Sequence, residues 1–288
     1  MNQKNTLLGL MSQTSIHAGT GQNTGVIDLP IQREGHNGWP CVFGSAVKGA
    51  LRVMAEQQNN DNITPIFGSA MNDNNPHSGA LLVSDARIIL FPVRSLTSQF
   101  KWVTCPAVLN RLKKDMVRFE QGEVEIDVLG DIDDDQAISP QESSDIFLEE
   151  YRFKPKQESL KKTIALLAKF VKDENFSQNL EKQLLIVNND NFTFLVQHAT
   201  PVNAHIAIDS ETKTTIGGAL WYEETLPAET LLYIGLSATN SRDDSNMTAE
   251  NILTGITEAF NDKPWLQMGG NETVGMGWCA VNDVSKEV

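Results

Sequence analysis

Residues able to hold or attack a phosphate crowd into one stretch of this chain, HAGTGQNTGVIDLPIQREGHNGWPCVFGSAVKGALR from His17 to Arg52. Glycines at 19, 21 and 25 let backbone approach a ligand where a side chain would collide. Gly44-Ser45, ahead of an apolar-periodic run, predicts a capped helix N-terminus whose free N–H groups favour anions. Lys48 and Arg52, four apart, share one face of that helix, and an isolated Asp28 stands just before Pro30. Backbone, cation and carboxylate converge as on a phosphate. Each also has a plainer reading, Lys48 and Arg52 as a solvated helix face and Asp28 as a turn or capping residue.

A second glycine-rich loop lies near the other end, LQMGGNETVGMGW from Leu266 to Trp278, with Gly269, Gly270, Asn271, Gly275 and Gly277 between an expected helix and strand. Several familiar chemistries lack their spacing. The chain has no GxxxxGKS/T, and GTGQNTG at 19–25 departs from GxGxxG, which argues against a P-loop or a dinucleotide fold. GxSxG and HExxH are also absent. Cys41, Cys105 and Cys279 lie far apart with no CxxC spacing, so reduced, buried thiols are expected rather than zinc or disulfides.

These loops need elements to position them. Residues 5–18 predict a first strand and 45–57 a helix with Val47, Leu51 and Met54 at helical spacing. A strand is expected over 81–93, ending near an edge at Pro92, then a helix over 102–119 with an apolar face of Val108, Leu112 and Met116. Residues 158–172 form the clearest amphipathic pattern. Residues 184–209 and 214–220 read as strands, joined by a turn at SETK. Strand 231–238, helix 251–260 and strand 278–281 complete an α+β order that fits a ferredoxin-like arrangement with large elaborations.

The 288 residues are 40% apolar, enough for a full core in one large elaborated domain or two small ones, and the N-terminus is too briefly apolar for an export signal or a membrane span. A cytoplasmic protein is expected. A net charge of -14 argues at first against a nucleic-acid partner. Its distribution removes the objection: residues 115–150 hold thirteen acidic residues against Arg118 alone, so this segment carries twelve of the fourteen negative charges. Low apolar content from Asp131 predicts a mobile loop or insertion there. Between Arg87 and Arg118 the balance reverses into a basic stripe that could hold a nucleic acid.

One family carries all of these pieces. His17 with its glycines, VIDLPIQRE at 26–34, Pro40 and GSAVKGALR to Arg52, GALWYEETLP at 218–227 and GGNETVGMGW at 269–278 together resemble the RAMP superfamily. Within it they resemble the backbone subunits of type III-B CRISPR effector (Cmr) complexes. The resemblance covers about residues 7–281.

It implies a ferredoxin-like (RRM-like) palm with inserted fingers and a thumb β-hairpin at 201–227. Copies would stack in a helical filament along a guide RNA, among other Cmr subunits and away from membranes. Guide-RNA contacts would fall to Lys48, Arg52, Ser45, Gly44, Arg33, Gly19, Gly21, Gly269, Gly270, Asn271 and His205. The thumb would splay one base pair of the guide–target duplex per subunit, a readout independent of sequence. Asp28 matches the aspartate with which this family cuts target RNA at regular intervals in antiviral defence. A carboxylate at its ordinary pKa of about 4 is a feeble base, so its expected role is to hold a divalent metal, Mg²⁺. His17, Glu223 and Glu224 are the accessory catalytic candidates. A scaffold without catalysis and a stand-alone enzyme for a phosphorylated metabolite are the alternatives. Two departures stand out: His205 replaces an expected arginine, and the acidic segment is unusually charged.

Overall fold

The computed structural model describes residues 3–70, 76–141 and 145–285. Its centre is the apolar run LLGLM. Strand β1 (Lys4–Ser12) lies between β12 (Leu231–Ala238) and β14 (Trp278–Asp283), antiparallel to both. A strand so placed is buried on both faces, and its side chains alternate between two cores. Leu8 and Leu10 enter one core and Leu7 and Met11 the other. Gly9 is needed between them, because a Cβ there would lie 1.9 Å from the Phe170 carbonyl oxygen.

The first core is closed by α1 (Gly44–Gln57), α2 (Ile63–Phe67) and α7 (Ala249–Thr257), through residues such as Val47, Leu51, Ile66 and Ile252. The second is closed by α3 (Pro106–Arg118), α4 (Lys161–Ala168) and α5 (Phe176–Gln183). The expected apolar face Val108, Leu112 and Met116 is fully buried. The result is an α+β fold with helices on both faces of a twelve-stranded mixed sheet. Beyond β12 the sheet runs through β4 (Ala86–Arg94), β5 (Phe100–Thr104), β9 (Leu184–Ile186), β6 (Gln136–Ser139), β8 (Tyr151–Gln157) and β7 (Ile146–Leu148). β13 (Trp265–Gln267) forms the opposite edge, while β2 (Cys41–Val42) and β3 (Leu81–Val83) pair with β4 and β12.

Several expectations require correction. The first strand ends at Ser12, and residues 13–32 form irregular loops. The strand expected over 81–93 is broken into β3 and β4. Pro92 is internal to β4 because pairing passes from β12, up to Leu90, to β5, from Phe91, so its missing N–H interrupts no ladder on the vacated side. Residues 184–209 are not continuous strand: α6 (Asn189–His198) intervenes, started by Asn188, whose side chain accepts from the Asn191 N–H. The amphipathic helix is shorter than its pattern, 161–168, and the last helix breaks into α7 and α8 (Ala259–Asp262).

The acidic segment contains β6 and β7, and its coil 120–135 packs Val124, Ile126, Leu129 and Ile132 against the second core. Some of its charges are paired, Glu125 with Lys162, Asp135 with Lys154, and Asp145 with Arg152. The arginines of the basic stripe are paired internally: Arg87 and Arg118 meet Asp115, Arg94 meets Glu149, and Arg111 meets Glu34, while Lys113 and Lys114 stay exposed. A linear run of cations therefore overstates the basic surface here. All three cysteines are buried and unbridged, and burial pushes the Cys41 and Cys279 thiols up to about 12. Among the described residues no helix is long and apolar enough to cross a membrane.

Candidate functional site

The loop from Gly19 to Ile31 closes on itself through an antiparallel bridge between those two residues. It then lies along β11 (Thr215–Glu224), which pairs with β10 (Val202–Ile208) in a separate two-stranded hairpin. Leu29 N–H donates to the Tyr222 carbonyl at 3.1 Å, and Glu224 N–H donates to the Leu29 carbonyl at 3.0 Å. Between these bonds the Asp28 Oδ2 accepts from the Tyr222 N–H at 2.8 Å. Asp28 is thus fixed at the foot of the hairpin, half-buried, with one oxygen engaged by backbone.

Successive side chains on a strand point to opposite faces, and Glu223 and Glu224 accordingly serve different partners. Glu224, buried, accepts from the Ile31 N–H at 3.0 Å, the Thr200 hydroxyl at 2.6 Å and the Arg33 guanidinium at 2.5 Å. Arg33 also donates to the carbonyls of Gly38 and Val196, both at 2.9 Å. Both residues brace the fold internally; Arg33, expected as an RNA contact, and Glu224, expected to reach a phosphate, are engaged with one another.

Glu223 is buried too, but it faces His17. Asn271, held in the left-handed region at φ 61°, donates its amide to Glu223 Oε1 at 2.5 Å, and His17 Nδ1 lies 3.8 Å from the same oxygen. His17 Nδ1 is 2.8 Å from the Glu224 carbonyl, which can only accept, so Nδ1 carries a proton and the ring's acceptor, in its neutral form, is Nε2. A Cβ on Gly19 would lie 2.7 Å from that Nε2. The glycine keeps the ring's acceptor clear.

The second glycine-rich loop packs on the same histidine. Gly270 N–H donates to the His17 carbonyl at 2.8 Å, and a Cβ on Gly269, which has φ +87°, would sit 2.5 Å from that oxygen. These glycines serve close packing between the two chain ends, and Gly21, at φ +95°, is left in open space. The structure thereby brings His17, Asp28, Glu223, Gly19 and the Gly269–Asn271 loop to the hairpin foot.

The α1 group lies elsewhere. Ser45 does not cap the helix: the N-cap is Phe43, with no side-chain bond, and the first helical N–H, of Gly44, donates to Asp85 Oδ1 at 2.7 Å. Asp85 thus occupies the end expected to receive an anion, and a Cβ on Gly44 would lie 2.7 Å from the Val83 carbonyl. Lys48 Nζ donates to the Leu81 carbonyl at 3.0 Å, and Arg52 pairs with Glu56 at 2.9 Å. Nothing between Gly44 and Arg52 marks Asp85 as a partner, because the pairing depends on the β3–β4 turn.

The hairpin itself projects. Val202, Ile206, Ile208, Ile216, Leu220 and Tyr222 are all exposed, an apolar surface unusual for a solvated ribbon. Its expected turn is present, with Asp209 Oδ1 accepting from the N–H groups of Glu211 and Thr212. His205 stacks on Trp221, with centroids 5.3 Å apart and planes 13° from parallel.

Among the described residues no three His, Cys, Asp or Glu side chains converge as a metal cage. Asp28 offers one carboxylate, which fits Mg²⁺ only where substrate phosphates complete the coordination.

Residues 10–280 match the RAMP superfamily. A Pyrococcus furiosus protein, CRISPR system Cmr endoribonuclease Cmr4, is 35% identical over 96% of this chain and 94% of its own length. The crystal structure of oligomeric Cmr4 from Pyrococcus furiosus superposes with a TM-score of 0.74 at 29% identity, covering 99% of this chain and 98% of that one. A chain in the cryo-EM structure of the type III-B Cmr-beta complex bound to cognate target RNA has a TM-score of 0.76 at 17% identity, with 97% of each chain covered, a likeness of fold.

Proposed function

Because the chain belongs to the RAMP superfamily, we propose that it is a guide-RNA-binding backbone subunit of a type III-B CRISPR interference complex and that it cleaves complementary target RNA at regular intervals. The observation that carries this reading is the place of Asp28. It is half-exposed, fixed by the Tyr222 N–H at the root of a projecting apolar hairpin, in a chain whose 35%-identical relative is named an endoribonuclease. The sheet and its helices serve as a ferredoxin-like palm, and residues 201–227 as the thumb. Copies of the chain assemble along the guide in a cytoplasmic ribonucleoprotein with other Cmr-type subunits.

The apolar hairpin separates bases where it enters the guide–target duplex. An unstacked nucleotide leaves its neighbouring 2′-hydroxyl free to swing in line with the phosphorus. The 2′-oxygen then bonds to phosphorus as the P–O5′ bond breaks, so one proton leaves the 2′-hydroxyl and one reaches the departing 5′-oxygen. His17, whose Nδ1 is bonded to the Glu224 carbonyl, serves in this proposal as the group that transfers one of these protons through Nε2. Glu223, tied to Asn271, supports the ring from 3.8 Å. Asp28 would hold a divalent cation, which would supply stabilisation of the developing negative charge. Lys48 and Arg52 contact the guide backbone.

Asp28→Asn, in the assembled complex, is expected to slow target cleavage about 10²- to 10³-fold while guide binding and assembly persist; cutting at the wild-type rate overturns the catalytic assignment. One observation favours a second reading, a scaffold without catalysis: the Asp28–Tyr222 bond would pin the hairpin even in an inert subunit. Full cutting by the Asp28 variant, or cutting undiminished by chelation, selects that reading or removes the metal from the first.

A further inference from the structure

Seven of the eight arginines lie within ion-pair reach of a carboxylate. Arg242, in the turn between β12 and α7, has no such carboxylate among the described residues, and it is exposed. Its Nη1 donates to the Ser78 hydroxyl at 2.6 Å. Three residues further along the same segment, the Leu81 carbonyl accepts from Lys48 Nζ at 3.0 Å. Residues 78–81 therefore hold two cations from distant parts of the chain side by side. Asp243, next in sequence, makes no ion pair with either of them; its carboxylate accepts from Ser245 and lies 4.0 Å from His77.

The cations act on one another. Burial holds the Lys48 ammonium below its ordinary range, and repulsion from Arg242 and then from Arg52 pushes it the same way. Arg52 has Glu56, but Lys48 and Arg242 have no carboxylate within ion-pair reach among the described residues, and like charges so placed oppose folding and are relieved by an incoming anion. The other seven arginines meet carboxylates, so the exception marks a place where the anion comes from outside. A guanidinium held by one nitrogen still presents the rest of its planar fork, which matches phosphate oxygens.

We propose that Arg242 is an RNA-phosphate contact that completes, with Lys48 and Arg52, a three-cation cradle fed by α1 and the β12–α7 turn. The inference rests on the reading of α1 as the guide-binding helix and adds a residue that no motif near α1 announces. Ser78 sets the direction of the fork, and Lys48, shielded by burial, supplies a point charge beside it.

The test is the affinity of the full chain for single-stranded oligouridine as a function of potassium chloride concentration. Arg242→Ala is expected to weaken binding roughly five- to tenfold at low salt and to reduce the slope of log affinity against log salt by about 0.7, the value for one phosphate contact on a single strand. Arg242→Lys keeps the slope, and Ser78→Ala, which removes the tether and no charge, leaves it unchanged. A wild-type slope in Arg242→Ala, or a loss reproduced in full by Ser78→Ala, overturns the proposal. If Arg242→Ala has a wild-type slope while Lys48→Ala is shallower, the guide-binding reading of α1 stands without Arg242. If neither changes the slope, both readings fall.

Discussion

Two carboxylates meet β11 at the foot of the hairpin and end in opposite conditions. Glu224 is buried and takes an arginine, a hydroxyl and a backbone N–H. Asp28 is half-exposed and takes one backbone N–H. A buried charge is tolerated only when its hydrogen-bonding capacity is filled, so Glu224 is committed to holding loop, hairpin and α6 together. Asp28 keeps capacity for a ligand. The comparison separates a group that builds the site from one that can act in it, a distinction that residue type does not make.

The comparison breaks first at Glu224. Glu224→Ala strands Arg33 and Thr200, and chemical denaturation should show a loss of about 3–5 kcal/mol, nearer the lower end because Arg33 retains some solvent access. An unchanged midpoint would mean that the foot is held by backbone alone. Asp28→Asn keeps an oxygen for the Tyr222 N–H, so stability should move by less than about 1 kcal/mol. The cleavage rate should fall about 10²- to 10³-fold, in line with the loss of one preorganised charge-stabilising group. Equal losses in both measurements would place Asp28 with Glu224 as a brace.

Gly19→Ala sharpens the contrast on the histidine side. Its Cβ would press on His17 Nε2 from 2.7 Å, so cutting should slow about tenfold through a displaced ring. Circular dichroism should show an intact fold, and a wild-type rate would remove His17 Nε2 from the chemistry. The smallest effect is expected in the paired stripe. Arg94→Ala removes an exposed, solvent-screened ion pair with Glu149 and should leave the denaturation midpoint at the wild-type value. It should leave the salt dependence of RNA binding untouched, whereas Arg242→Ala should lower it.

Much of the fold was legible from local pattern. The first strand, α1 and the apolar face of α3 could be read because each buries side chains at its own period. Residues 189–198 were misread because Phe192, Leu195 and Val196 sit amid residues of high strand propensity, and the helix depends on the Asn188 cap. The acidic segment looked like a loose loop because its charge hid the spaced residues Val124, Ile126, Leu129 and Ile132. At the site, His17, Asp28 and the two glycine loops could be chosen from sequence. The roles of Arg33 and Glu224 could not, since their bond joins residues 191 apart.

The sequence by itself determined the membership in a family, the placement of Asp28 and His17 among glycines, and the concentration of negative charge in 115–150. Those are properties of residue type and order. Only the tertiary structure decided which charges are already neutralised: it paired Arg87, Arg94, Arg111 and Arg118 internally and set Asp85 on the start of α1. It also left Asp28 and Arg242 with capacity for a ligand. The physical reason is that an ion pair depends on separation in space, within a few ångströms, and separation along the chain says little about it.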